Sequence, residues 1–268
     1  MPSTQAQDIV RHAVAAFNSG RHRDAQKLCE QGLARQPREP TLNHLLAAML
    51  FKQGDVSSAR QRIAASLTVH GNNPAALLLA GRIARSEKDF EAALSYLKRA
   101  AALGTSREVL LETARTLDEA GGEARPAWRA VLQAFPQSHE AMARLGRLCW
   151  QARALSEAAQ LLERAVAGDC PASSWFDLGV VRQDLGDQAG AAAAYRQALA
   201  KNPVYAEAAV NLGIALQESG DLEAAMRAYQ TAYRIRPATF GTIAMALTSA
   251  PSGKLWLDQE ALRQLLGG

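Results

Sequence analysis

The sequence predicts an all-α array of stacked helical hairpins, and three observations carry that prediction. The stretch 172–205 is repeated in 206–237 at an offset of 34: Leu178 falls on Leu212, Gly179 on Gly213, Gly186 on Gly220, Tyr195 on Tyr229 and Pro203 on Pro237. Within one copy, Trp175, Leu178, Gly179 and Arg182 fall at i, i+3, i+4 and i+7, one face of a first helix, and Ala191, Tyr195 and Ala198 mark a face of a second. Between them Gly186-Asp187 breaks and turns the chain, and Pro203 ends the unit.

The residue sizes fit that geometry. Gly179, Ala191 and Ala198 are small where the two helices of a hairpin approach, and Trp175, Leu178, Tyr195 and Leu199 fill the remaining space. One hairpin cannot bury its apolar face alone, so units must stack.

Taken in order, residues 1–5 are expected to be an N-terminal extension. Repeat one spans about 6–39: Ile9, Ala13 and Ala16-Phe17 give its first helix, Gly20 its turn, and Ala25, Cys29 and Pro37 its second helix and end. His12 is expected to be partly buried. Repeat two (40–73) keeps phase through Leu46-Ala47, Leu50, Gly54-Asp55, Ala59 and Ile63. Repeat three (74–104) does so through Ala80-Gly81, Ala93, Leu97 and Ala100. Repeat four (105–138) is irregular, since Ala93 to Ala124 is a step of 31, and a local change of pitch is expected there. Repeat five (139–171) carries Leu145-Gly146, Ala158 and Leu162, with Arg153-Ala154 in place of Gly-Asp. Repeats six (172–205) and seven (206–239) are the matching pair. The rest, 240–268, reads as a capping helix over 240–250, a Pro251-Ser252-Gly253 turn, and a last helix with Asp258 as its N-cap. This tail is apolar enough either to fold back on the last hairpin or to associate with another surface.

Composition narrows the function classes. A formal charge of +4 built from dispersed arginines lacks the concentrated basic stripe of a nucleic-acid binder. Three cysteines without metal-like spacing argue for a reducing, cytoplasmic setting. Neither a leader pattern nor a run of about 18 apolar residues is present, so no membrane span is expected. No phosphate loop, nucleophile elbow or HExxH appears, and five scattered histidines have no ligand spacing. The expectation is no enzyme activity, no cofactor and no metal.

The pattern Trp175, Leu178-Gly179, Ala191, Tyr195, Ala198, Pro203 resembles the tetratricopeptide repeat (TPR) family. The resemblance implies a right-handed superhelical solenoid of about seven repeats with a C-terminal capping helix and tail. It also implies a concave groove, lined by first helices, that holds extended peptides or helices. In register with Asn211, Ile214, Gln217 and Glu218, the inward position of repeats three to five holds Arg82, Arg115 and Arg147, with Arg85 and Arg144 nearby. Val10, Val14, Phe17, Leu45 and Phe51 make the N-terminal end apolar, and Asp177, Gln183, Asp184, Asn211 and Glu218 make the far end mixed. The lysine–asparagine clamp of chaperone-binding relatives is absent, its positions holding Val10 and Val14.

Arginine forks grip carboxylates with two bonds. The expected function is therefore a non-catalytic protein-interaction scaffold. Its partner segment, an acidic one, would be contacted by Arg82, Arg85, Arg115, Arg144 and Arg147, with Asn211, Phe17 and Phe51. The competing reading of the arginine row is that Glu112, Glu119 and Asp184 neutralise it across repeats. Two further classes stay open: a recognition module acting with a partner enzyme of glycosyltransferase, sulfotransferase or hydroxylase type, and a scaffold that self-associates through its tail.

Overall fold

The computed structural model describes residues 4–249 and 259–267. Among these the protein is all helix. Fourteen helices form seven hairpins. The first helices are α1 (Thr4–Asn18), α3 (Pro40–Gln53), α5 (Pro74–Ser86), α7 (Arg107–Glu119), α9 (His139–Gln151), α11 (Ala172–Asp184) and α13 (Ala206–Glu218). Their second helices are α2 (His22–Arg35), α4 (Val56–Val69), α6 (Phe90–Leu103), α8 (Ala124–Ala134), α10 (Leu155–Val166), α12 (Gln188–Lys201) and α14 (Leu222–Ile235). A short 3-10 turn leads into α15 (Phe240–Ser249), and α16 (Gln259–Gly267) ends the described chain. The chain divides into two compact units, Met1–Phe135 and Pro136–Gly268.

The hairpin turns follow from local chemistry. Gly54, Gly186 and Gly220 take left-handed φ angles, and the Asp after each caps the next helix: Asp55, Asp187 and Asp221 accept the backbone N–H of Ser58, Gly190 and Ala224. Repeats three and five lack this glycine, and Lys88 and Arg153 occupy the left-handed region instead. Asp89 still caps α6, whereas α10 has Ala154 and no side-chain cap.

Close helix approach has its own signature. A Cβ on Gly213 would lie 2.3 Å from the Tyr229 ring, and one on Gly179 would lie 2.5 Å from that of Tyr195. Gly81 and Gly146 meet Leu97 and Leu162 in the same way. Repeats one and two carry Ala13 and Ala47 at this position, where the residue in the tyrosine's register is Cys29 or Ile63. Leu97, Leu162, Tyr195 and Tyr229 are buried against the space the glycines' missing methyl leaves.

The second unit is closed at its C-terminal end. Phe240 opens α15 34 residues after Ala206 opens α13 (240 − 206), so α15 stands where the first helix of an eighth repeat would begin. Its Ile243 and Leu247 are buried, and Leu262 and Leu266 of α16 join the same core. Arg263 stacks over the Phe240 ring at 4.5 Å. Asp258, expected as an N-cap, and the expected turn at 251–253 lie outside the described residues. Among the described residues, no helix is long and apolar enough to cross a membrane.

Candidate functional site

In the first unit, α5 and α7 bring Arg82, Arg85 and Arg115 together around one carboxylate. Glu112 is 3% exposed. It accepts from Arg82 Nε at 3.2 Å, from Arg85 Nε at 3.2 Å and from Arg115 Nη1 at 2.9 Å. Arg85 Nη1 also donates to Glu119 at 2.6 Å. Such charge-assisted bonds offset the cost of taking Glu112 out of water. They also tie the first helix of repeat three to that of repeat four. The neutralisation weighed from sequence is present for Glu112 and Glu119.

The N-terminal apolar residues are largely used in packing. Phe17 is half-buried, sits edge-on to His22 and packs on the core of repeats one and two. Phe51 is half-buried against Ala47, Ala59 and their neighbours. Val10 lines a cavity of about 740 Å³ between α1 and the Gln36–Pro40 turn. His12, expected to be partly buried, is exposed. It lies one residue before buried Ala13, so the helical rotation carries it off the core face.

In the second unit, Arg144 and Arg147 lie one turn apart on α9 and are exposed. They line a cavity of about 320 Å³ closed by α11 and the loop Asp169–Pro171. Asp177 of α11 lines the same cavity and is half-buried. Burial raises its carboxyl above the ordinary range, and the fields of Arg147 and Arg144 oppose that rise. Of the loop's charges, Asp169 pairs with Lys201 at 3.5 Å. His139 packs its ring on Gly168, and its Nδ1 is buried without a partner.

Asn211 of α13 is half-buried near the hydroxyl of Tyr195. Gln183 accepts from the same hydroxyl at 3.0 Å. Asp184 is held by Trp150 Nε1 at 2.7 Å and Arg153 at 3.0 Å, so it links α9 to α11. Gln217, expected to face the groove, is instead 2% exposed. It accepts from Tyr229 at 2.8 Å and donates to the Ala246 carbonyl of α15 at 3.0 Å. The capping helix covers it, and the 34-residue step to Phe240 was the available signal. The cavity between α9 and α11 was missed as a unit. Its wall includes an irregular loop, whose path periodicity does not encode.

Similarity to known proteins agrees with this architecture. A search of curated proteins gave no match. Among solved structures, the chain is similar to the APC/C hetero-tetramer Cut9–Hcn1, with a TM-score of 0.65 at 16% identity over 88% of this chain and 48% of that one. It is similar to pilF of Pseudomonas aeruginosa, with a TM-score of 0.64 at 16% identity over 74% of this chain and 92% of that one. It is also similar to the MamA protein, with a TM-score of 0.57 at 22% identity over 63% and 94%. These likenesses are of fold. Tetratricopeptide repeat profiles match residues 16–83, 74–103, 121–174 and 176–238, well over half of the chain. With seven hairpins of the matching form, the chain belongs to the tetratricopeptide repeat family, whose architecture serves protein–protein interaction scaffolds.

Proposed function

We propose that the protein is a non-catalytic scaffold that holds an acidic, extended segment of a partner protein, and that Arg144 and Arg147 are its principal anchors. One observation carries this reading. Both guanidiniums are exposed beside a cavity of side-chain dimensions, and they are mounted on a rigid helix. Rigid mounting lowers the ordering cost of gripping an extended ligand. Asn211, on the first helix of repeat seven, extends the polar lining of this unit. Arg82, Arg85 and Arg115 play a lesser part, because Glu112 and Glu119 already occupy their donors. Phe17 and Phe51 offer apolar contact at the edges they leave exposed.

The cysteines support a reducing, cytoplasmic setting. Cys29, Cys149 and Cys170 are all buried and in no disulfide, and burial, with Glu39 and Glu30 adding, pushes the Cys29 thiol up to about 11. The test is affinity capture with the full chain beside an Arg144→Ala/Arg147→Ala variant and an Arg82→Ala/Arg115→Ala variant. A partner kept by the second and lost by the first is expected, with its contact mapping to an Asp/Glu-rich segment. A partner held equally by all three, with unchanged salt dependence, would overturn the assignment.

A further inference from the structure

Asp177 of α11 and Arg147 of α9 line the same cavity. Among the described residues, neither Asp177 nor Arg147 has an ion pair within 4 Å or a hydrogen bond from its side chain. Here Asp177 is half-buried on α11 and Arg147 stands exposed on α9, so the cavity keeps them separate.

A carboxylate placed between Arg144 and Arg147 therefore meets Asp177 as a like charge in a partly desolvated space. We propose that Asp177 is the specificity-determining residue of this cavity: an acidic segment is admitted as Asp177 takes up a proton, so binding and protonation are coupled. The inference rests on the reading of Arg144 and Arg147 given above.

The surroundings agree in direction. Burial already disfavours the Asp177 anion, and an arriving carboxylate disfavours it further. From α9, the groups facing it are Arg144 and Arg147, with Glu140 and His139 on the same wall. From the loop, Asp169 is turned to Lys201, and Cys170 is buried. From the start of α13, Tyr205 feels the Asp177 charge, and its hydroxyl is raised chiefly by burial and secondarily by Asp177. Tyr205 stacks near Phe176 with ring centroids 5.0 Å apart, so this wall is apolar and screens poorly. As pH falls, Asp177 loses its charge while the arginines keep theirs, and affinity for an acidic segment rises. His139 lines the same cavity, so its part is separated from that of Asp177 by substitution.

The experiment uses the full chain and a rhodamine-labelled hexaglutamate peptide, read by fluorescence anisotropy at about pH 7 and about pH 5.5, where glutamates remain mostly ionised. Wild type is expected to bind more tightly at the lower pH. Asp177→Asn should bind roughly three- to tenfold more tightly than wild type at about pH 7, the size expected for removing one like charge at this range. It should also lose most of the pH response, and His139→Gln should keep it. Calorimetry of wild type in two buffers of different ionisation enthalpy should register proton uptake, absent in Asp177→Asn. If wild type binds and Arg144→Ala/Arg147→Ala does not, but Asp177→Asn matches wild type at both pH values, the gating role is overturned and the arginine anchors stand. If neither wild type nor Asp177→Asn binds the peptide at either pH, both readings fall. Loss of the pH response in His139→Gln alone would transfer the role to the histidine and overturn the assignment to Asp177.

Discussion

The first unit holds three arginines that share a buried glutamate, and the second holds two that share a cavity with an unpaired aspartate. The same residue type at the same register position is thus used in two ways. Around Glu112 the guanidiniums are fixed by distances of 2.9–3.2 Å and hold two helices together. On α9 they stand exposed at the rim of a cavity, and their fields act on half-buried Asp177 across it. Charge therefore becomes structure where its counter-ion is buried with it, as around Glu112.

Four measurements would break or sharpen this contrast. The largest effect is expected from Glu112→Ala, which leaves three half-buried guanidiniums around a void. A loss of about 2–3 kcal/mol in urea unfolding is expected, below the usual cost of orphaning a fully buried partner because the arginines keep some water. A loss under about 0.5 kcal/mol would mean the cluster is ornamental to stability. Arg85→Ala should cost less, about 1–2 kcal/mol, since Glu112 keeps Arg82 and Arg115 while Glu119 loses its partner. Next comes Arg144→Ala/Arg147→Ala, which should shift unfolding by under about 0.5 kcal/mol while removing acidic-peptide binding. A stability loss as large as that of Arg85→Ala would erase the distinction between the two regions.

The smallest effect is expected from pH. Burial raises the Asp177 carboxyl in the fold above its ordinary value of 3.8. A raised value in the folded state means stability that is full below the unfolded value and declines as pH rises through the folded one. Asp177→Asn should remove that decline. Its margin over wild type is expected to be greater at about pH 7 than at about pH 3.5 in denaturant titrations. An equal margin at both would show that the carboxyl is not disfavoured by its setting.

The hairpins were legible because a period of 34 and a helical rotation of residues are one-dimensional quantities. Leu178-Gly179 and Tyr195 state the packing of repeat six as plainly as the coordinates do. The turn after α9 was legible as an anomaly, and Arg153 indeed takes the left-handed conformation usually given to glycine. The site was legible only to the level of a face. Register placed Arg82, Arg85, Arg115, Arg144 and Arg147 on first helices. It does not determine which guanidinium turns toward which carboxylate, because side chains of that length choose among many rotamers. Gln217 shows a second limit. Its position matched groove residues in earlier repeats, yet the helix that follows it closes over that position.

The Gln217 contact has a consequence for how such a chain could lengthen. Its amide bridges Tyr229, twelve residues ahead (229 − 217), and the carbonyl of Ala246 in the terminal helix. The Tyr195–Gln183 pair has the same twelve-residue spacing (195 − 183), so each of the last two repeats offers a docking point of the same form. Duplication of one whole period between them would present the terminator with an unchanged seat, whereas an insertion of any other length would turn it away. The boundary is in that sense an interchangeable joint, and tandem duplication is the genetic event it tolerates.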